Sequence, residues 1–264
     1  MSPAVALTLA AAGAIGYGVA SVLQAVGAQH DPGMLRTLRQ PAYLAGVALD
    51  LVAWLLSVAA LRTLPVYQVQ AVLAGSLAVT VVTARLVLRA RLRTVDVAAV
   101  AVTVVALTAL AAASGPQDPA LPPAATRLGL ALAVVPVALA GWAVARRGSP
   151  NLTGAVAGLA FGGAALCARA VTWPGPLLTE PLAWALACFG LTGTLLYAHA
   201  LEHGQVGPVT ALLWIVEVLA PSVAGVLLLG DDVRAGWAPV AVAAVAATVA
   251  AAAVLAHAPA AAFE

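Results

Sequence analysis

Two carboxylates, Asp50 and Glu217, each stand in the middle of a long apolar stretch of the chain. In a helix with a rise of about 1.5 Å per residue, each lies roughly 14 Å from the end of its stretch. A charged carboxylate at the centre of a bilayer costs about 2.5 to 3.5 kcal/mol, and it persists when paired, protonated or hydrated. The pair predicts an ion or proton coupling site or a cationic-substrate site, because carboxylate oxygens suit hard cations such as magnesium. A buried acid held neutral by hydrogen bonds between helices is the alternative.

Aromatic side chains share helix faces with both carboxylates. Trp54 follows Asp50 by four residues, and Trp214 precedes Glu217 by three, spacings that place each pair on one face of a helix. The first apolar stretch contains the phenol of Tyr17 and the amide of Gln24, seven residues apart. Such groups either line a hydrated cavity or hold helices together by hydrogen bonds worth about 0.6 to 2 kcal/mol. The predicted solute or ion pathway consists of Asp50, Trp54, Glu217, Trp214, Tyr17 and Gln24.

Other polar side chains support simpler interpretations. His199, Glu202 and His203 lie within one helical turn. Their spacing is compatible with a metal site, although a solvated turn is the simpler explanation, so metal binding stays open. Arg169, near the end of a stretch, is expected to reach lipid headgroups. The amides Gln68 and Gln70 of the third span either line a hydrated cavity or join helices by hydrogen bonds, and Gln68 is expected nearer the membrane surface.

No sequence pattern for enzymatic chemistry is found. The sequence contains no nucleophile triad, phosphate-binding loop or metal cluster of enzymatic quality. It therefore predicts a protein that is not an enzyme and uses no cofactor. Cys167 and Cys188 fall within apolar stretches and are expected to be packing residues without a disulfide.

These groups are positioned by nine apolar stretches that account for nearly all of the 264 residues. With 8% charged residues and a mean hydropathy of +1.04, the chain has too little polar surface for a water-soluble globule. A helix that crosses the roughly 30 Å hydrocarbon core needs about 20 mostly apolar residues. The sequence predicts an all-α polytopic membrane protein with a single transmembrane domain over residues 1–264. The predicted spans are 4–27, 41–61, 65–88, 95–113, 126–145, 153–171, 182–200, 208–229 and 237–256.

The arginines predict the orientation of the spans. All 12 basic residues are arginine, and most lie in the loops after the first, third and fifth spans, whereas the opposite side holds most of the loop acids. Because cytoplasmic loops carry the excess of positive charge, the N-terminus is predicted outside and the C-terminus in the cytoplasm, in the plasma membrane. Residues 1–27 lack a basic leader and are expected to be the first span, not a cleaved signal peptide. The cytoplasmic arginines are Arg36, Arg39, Arg89, Arg91, Arg93, Arg146 and Arg147.

The spans form an internal repeat. Residues 55–88 align with residues 195–228 without a gap, and the turns recur at equal spacing. The chain divides into repeat 1 over 4–113, a connecting helix over 126–145 and repeat 2 over 153–257. Because an odd number of spans separates equivalent helices, the repeats face opposite ways, an arrangement typical of secondary transporters. A shared helical-hairpin spacing without common origin is the alternative.

The second and third spans resemble the drug/metabolite transporter superfamily. The resemblance lies in the run from Trp54 to Val66, the third span, a short basic turn and the fourth span. The second copy, Leu195 to Gly236, has the superfamily's small residues, a proline within span eight (Pro221) and an acidic turn. Nine spans and the carboxylate before Trp54 are similar to the NIPA-type magnesium transporter branch of the EamA-like proteins. The superfamily usually has an acidic residue at the turn after the third span, whereas segment 89–93 is basic here. Ten spans are usual in the superfamily, whereas this sequence predicts nine.

The resemblance implies movement of a small solute or an ion by alternating access, without nucleotide hydrolysis. A proton-coupled exporter of drugs or metabolites and a magnesium-type cation transporter are the two forms of this hypothesis. A non-transporting membrane subunit or scaffold is the second class, and an enzyme acting on lipid headgroups is the third, for which the loops are sparse. The expected partners are a small-molecule or cation substrate and membrane lipid, without nucleic acid. Small residues such as Gly154 and Gly158 indicate close helix packing and leave a homodimer open.

Overall fold

Proline and glycine set the ends of several helices. Pro41, Pro150 and Pro181 each begin a helix, a position where the missing N–H would have had no partner. Gly148 follows the end of another helix with a φ of 67°, a left-handed conformation that glycine adopts without strain.

The computed structural model describes residues 1–30, 40–88, 93–113, 122–171, 179–204 and 206–256, and the regular structure of these ranges is helical. The helices are α1 Pro3–His30, α2 Pro41–Leu61, α3 Val66–Ala74, α4 Ser76–Leu88, α5 Thr94–Ala113, α6 Ala124–Leu132, α7 Val134–Arg146, α8 Pro150–Ala170, α9 Pro181–His203, α10 Val206–Leu229 and α11 Ala238–Ala256.

Eight helical segments within the described residues are long and apolar enough to cross a membrane. They are Pro3–Gln24, Pro41–Leu61, Val66–Val87, Ala124–Arg146, Pro150–Ala170, Pro181–His203, Leu212–Leu229 and Ala238–Leu255. The predicted span 95–113 corresponds to α5, whose apolar part, Thr94–Leu110, is shorter. The chain is a multi-pass α-helical membrane protein, and that prediction is confirmed.

The side chains are distributed as lipid contact requires. Alanine is the most frequent residue of the buried core, whereas Leu86, Val105, Leu227 and Val242 each expose at least 70% of their surface. A protein in water usually buries its large aliphatic residues. Lipid chains are as apolar as leucine, so membrane helices gain by packing small residues together instead.

Two of the predicted spans are each interrupted, which the sequence had not predicted. Segment 65–88 consists of α3 and α4, which meet at Gly75, and segment 126–145 consists of α6 and α7, which meet at Ala133. Pro136 explains the second break, because it has no N–H to donate to the carbonyl of Leu132.

Helix α3 is at the centre of the described structure. All nine of its residues are buried, and it packs against α1, α2, α5, α8, α10 and α11. Any group that α3 carries is therefore enclosed by protein, not by lipid.

Part of the predicted topology signal lies outside the described residues. This applies to the basic residues Arg36, Arg39, Arg89 and Arg91. The predicted orientation therefore stays a prediction.

Candidate functional site

Tyr17 of α1 lies near both predicted carboxylates. Its hydroxyl is close to the side chain of Ser57 and within electrostatic range of Asp50 and Glu217. Asp50 and Ser57 belong to α2, and Glu217 belongs to α10. Both carboxylates are near the middle of their helices and are half-buried. The phenol thus lies within electrostatic range of acidic groups from opposite halves of the sequence.

Gln24 lies on the same α1–α2 interface, two turns after Tyr17. A Cβ atom at Gly46 would lie 2.7 Å from Cγ of Gln24 and 2.9 Å from the carbonyl oxygen of Ala20. Only glycine at this position lets α1 approach α2 so closely. Because Gly46 precedes Asp50 by four residues, Gln24 packs on the face of α2 that carries the carboxylate.

The two predicted tryptophans lie in different surroundings. Trp54 is 38% exposed, and its carbonyl accepts a 2.7 Å hydrogen bond from the Ser57 hydroxyl. Trp214 is half-buried and packs against a small cluster that contains Ala157, Leu196 and Leu213. The structure therefore brings Tyr17, Gln24, Asp50 and Glu217 to one region, whereas the indole of Trp214 belongs to a packing cluster of its own.

A row of glycines on α8 positions the helix that carries Glu217. Gly154, Gly158 and Gly162 face α10 at intervals of one turn. A Cβ atom at Gly158 would collide with the carbonyl of Leu213 and would lie 3.1 Å from the amide nitrogen of Glu217. These glycines follow the small-xxx-small spacing of close membrane helix pairs, and here the spacing serves contact within one chain.

Pro221 leaves the backbone carbonyl of Glu217 without its helical hydrogen bond. It lies inside α10, and a proline cannot donate the hydrogen bond that the carbonyl four residues earlier would accept. That carbonyl belongs to Glu217. Gly162 accommodates the proline ring, since a Cβ there would lie 2.9 Å from Cδ of Pro221. Glu217 therefore offers both a carboxylate and a backbone carbonyl without its usual helical partner.

Alanine at Gly158 is expected to destabilise the protein by about 1 to 3 kcal/mol, the usual cost of overpacking a filled interface. The added methyl group meets backbone atoms of α10, which cannot rotate away. Chemical unfolding in detergent measures the change. Gly129→Ala in α6 is the matched control, because a Cβ there meets nothing within 4 Å and alanine favours the helix by up to about 1 kcal/mol. Equal stabilities of the two variants would contradict the close α8–α10 contact.

Two buried amides lie outside the set of residues predicted for the solute or ion pathway. Gln68 and Gln70 of α3 are each 2% exposed, and Oε1 of each has no hydrogen-bond partner among the described residues. The sequence predicted a position near the membrane surface for Gln68, because it did not reveal that every residue of α3 is enclosed. Buried acceptors without partners usually have a functional or hydration role, so both amides are added to the candidate site.

A buried ionic cluster, the Asp231 cluster, ties helix ends together. Oδ2 of Asp231 accepts a hydrogen bond from the N–H of Val66, and Oδ1 lies 3.4 Å from Nε of Arg169. The Tyr67 hydroxyl donates to the carbonyl of Asp232 at 3.1 Å. Burial raises the pKa of Asp231, against the opposing effects of the Val66 amide and the Arg169 guanidinium. Arg169 is thus paired with protein, whereas the sequence had favoured contact with headgroups.

A second ion pair lies between the starts of two other helices. A guanidinium nitrogen of Arg127 lies 2.8 Å from both carboxylate oxygens of Glu180, and Glu180 also accepts from the N–H of Leu182 at 3.4 Å. The pair links the first turns of α6 and α9. The sequence places both of its residues on the same side of the membrane as Asp231.

Fold and site together define a multi-pass membrane protein with a polar cluster between its helices. Comparison of the chain with profiles of protein families, with curated proteins and with solved structures gives no match. The basis for a functional proposal is therefore the sequence and structure of the chain itself.

Proposed function

We propose that the protein is a secondary transporter that moves a small cation, or a small solute with a coupled cation or proton, across the plasma membrane by alternating access. The observation that carries this proposal is that Asp50 of α2 and Glu217 of α10 both lie within electrostatic range of Tyr17 of α1, at mid-helix depth. Buried acids at the bilayer centre typically mark ion and proton pathways.

Helix packing supports two inverted four-helix repeats, the first of which ends with α5, joined by the α6–α7 segment. In the first half α1 packs against α2 and α4, and in the second half α8 packs against α9 and α10. Between the halves, α3 packs against α10 and α5 against α11, each pair joining equivalent segments of the repeat. Such symmetry fits the drug/metabolite transporter superfamily, which the sequence resembles.

Glycines allow close helix contacts in both halves. A Cβ at Gly18 would lie 2.8 Å from the carbonyl oxygen of Ser76 in α4, and one at Gly158 would meet the carbonyl of Leu213 in α10. Exchange of conformation between two such halves gives nearly equal inward-open and outward-open states around one central site.

The chemistry of the cluster favours a hard cation as cargo. Asp50 and Glu217 supply carboxylate oxygens, Tyr17 and Ser57 supply hydroxyls, and Pro221 leaves the carbonyl of Glu217 available. Oxygen ligands are those that Mg²⁺ prefers, usually with several of its water molecules retained. We propose Mg²⁺ or a similar cation as cargo ahead of a metabolite exported in exchange for protons.

The Asp231 cluster provides a closing contact at one end of the bundle. It joins the loop after α10 to the start of α3 and the end of α8. In the proposed orientation, with the N-terminus outside and the C-terminus in the cytoplasm, this end faces the exterior. Alternating access requires the contact to break when that side opens.

Reconstitution into liposomes tests the transport proposal. Liposomes that contain the purified protein and a magnesium-sensitive dye are expected to take up Mg²⁺ down its gradient faster than liposomes without protein. A pH-sensitive dye in parallel samples tests proton exchange. Thermal unfolding with Mg²⁺, other divalent cations, quaternary amines and amino acids identifies the cargo, since a ligand at 100 times its Kd adds about 2.7 kcal/mol. Absence of both flux and stabilisation would favour a scaffold instead.

A further inference from the structure

A separate group of metal-ligand side chains lies at the C-terminal end of α9. His199, Glu202 and His203 occupy one helical turn, and one nitrogen or oxygen of each lies within 4.8 Å of the others. His199 is half-buried, whereas Glu202 and His203 are exposed. All three are therefore accessible from outside the bundle.

A backbone contact holds the ring of His203. Its Nδ1 lies 2.9 Å from the carbonyl oxygen of His199. A carbonyl only accepts, so Nδ1 carries the proton and donates, and Nε2 of the neutral ring keeps its lone pair. Metal-binding histidines are typically held by such a bond to their second ring nitrogen. The two imidazole rings lie side by side with centroids 4.3 Å apart.

The end of the helix favours positive charge beside these residues. His203 is the last residue of α9, and the carbonyls of a last helical turn carry partial negative charge because they lack helical partners. Glu202 adds a full negative charge. The electrostatic field at this turn therefore attracts a cation.

We propose that His199, Glu202 and His203 form a binding site for a divalent transition-metal ion of the Zn²⁺ type. Two imidazole nitrogens and one carboxylate oxygen suit Zn²⁺, whereas Mg²⁺ prefers oxygen ligands alone. Tetrahedral coordination with bonds of about 2.0 to 2.2 Å needs ligand atoms about 3.4 Å apart. The ligand atoms lie within 4.8 Å of one another, and small changes of rotamer in the exposed side chains bring them to this distance. The site is distinct from the Asp50–Glu217 pathway and does not depend on transport.

Isothermal titration of the purified, tag-free protein with ZnCl₂ tests the proposal. The wild-type protein is expected to bind one Zn²⁺ per chain at this site and to give no comparable signal with MgCl₂. His203→Ala is expected to weaken Zn²⁺ binding more than about tenfold, since even the loss of a supporting hydrogen bond costs 10 to 100-fold in metal affinity. Glu202→Gln, which removes the charged ligand and keeps the shape, is expected to weaken it in the same direction.

Cys188→Ser is the control variant. Cys188 is a free, exposed thiol on the same helix and is the main competing ligand for Zn²⁺ on α9. Its loss is expected to leave the affinity unchanged. Loss of binding in Cys188→Ser, unchanged binding in His203→Ala, or failure of the wild-type protein to bind Zn²⁺ would each overturn the proposal. Because His203 and Glu202 are exposed, thermal unfolding is expected to show both variants folded.

Discussion

Replacement of Glu217 by glutamine is expected to abolish cation flux while the protein still folds. Glutamine keeps the size of the side chain, but it carries no charge and does not exchange a proton in the range of physiological pH. The cation-dependent stabilisation of about 2.7 kcal/mol at 100 times Kd is expected to disappear with it. Flux into liposomes and thermal unfolding with Mg²⁺ measure the two effects on the same preparation.

Two further variants test how specific the loss of cation flux is to the central carboxylates. Asp50→Asn is expected to reduce flux and stabilisation as well, because both carboxylates act on Tyr17. Glu264→Gln makes the same chemical change at the last residue of the sequence and is the control for net charge. Normal coupled flux in Glu217→Gln would remove Glu217 from the mechanism. If both neutral variants were harmless, the transport proposal would lose its central observation.

Substitution of Arg169 by methionine is expected to cost about 3 to 5 kcal/mol of stability. The carboxylate of Asp231 is fully buried beside it, and removal of one partner of a buried pair leaves the other charge uncompensated. Adding Asp231→Asn is expected to restore most of the loss, since asparagine still accepts from the Val66 N–H without carrying a charge. Denaturant unfolding of the wild-type protein, the two single variants and the double variant completes a double-mutant cycle.

Arg147→Met provides the matched control for this cycle. Arg147 is exposed at the end of α7, so its replacement is expected to change stability by less than about 0.5 kcal/mol. A similar loss in both arginine variants would indicate a general effect of charge, and a double variant no better than Arg169→Met would contradict the pairing. If the contact also closes the outer end of the bundle, Asp231→Asn is expected to alter the rate of cation uptake.

The individual helices could be predicted well because their determinants are local. The observed bounds of α2 equal the predicted span 41–61, since Pro41 marks a start that needs no N–H donor and the apolar stretch continues for the width of a bilayer. The carboxylates could be singled out for a similar reason. A charge inside such a stretch is costly whatever surrounds it.

The contacts between helices could not be predicted, because they depend on which faces meet. The sequence placed Tyr17 and Gln24 on one face of span one, but not beside both Asp50 and Glu217. The spacing of Gly154 and Gly158 indicated close packing without naming α10 as the partner. Arg169 was expected to reach lipid because Asp231 lies more than 60 residues later in the sequence.

The alanine-rich interior has a consequence for motion. Alanine has no side-chain rotamers to lose or exchange, so helices that meet through it slide past one another without a rearrangement of interlocked side chains. Alternative arrangements of the same helices then differ little in packing energy. Discrete polar contacts, rather than shape, are then expected to decide which arrangement is populated.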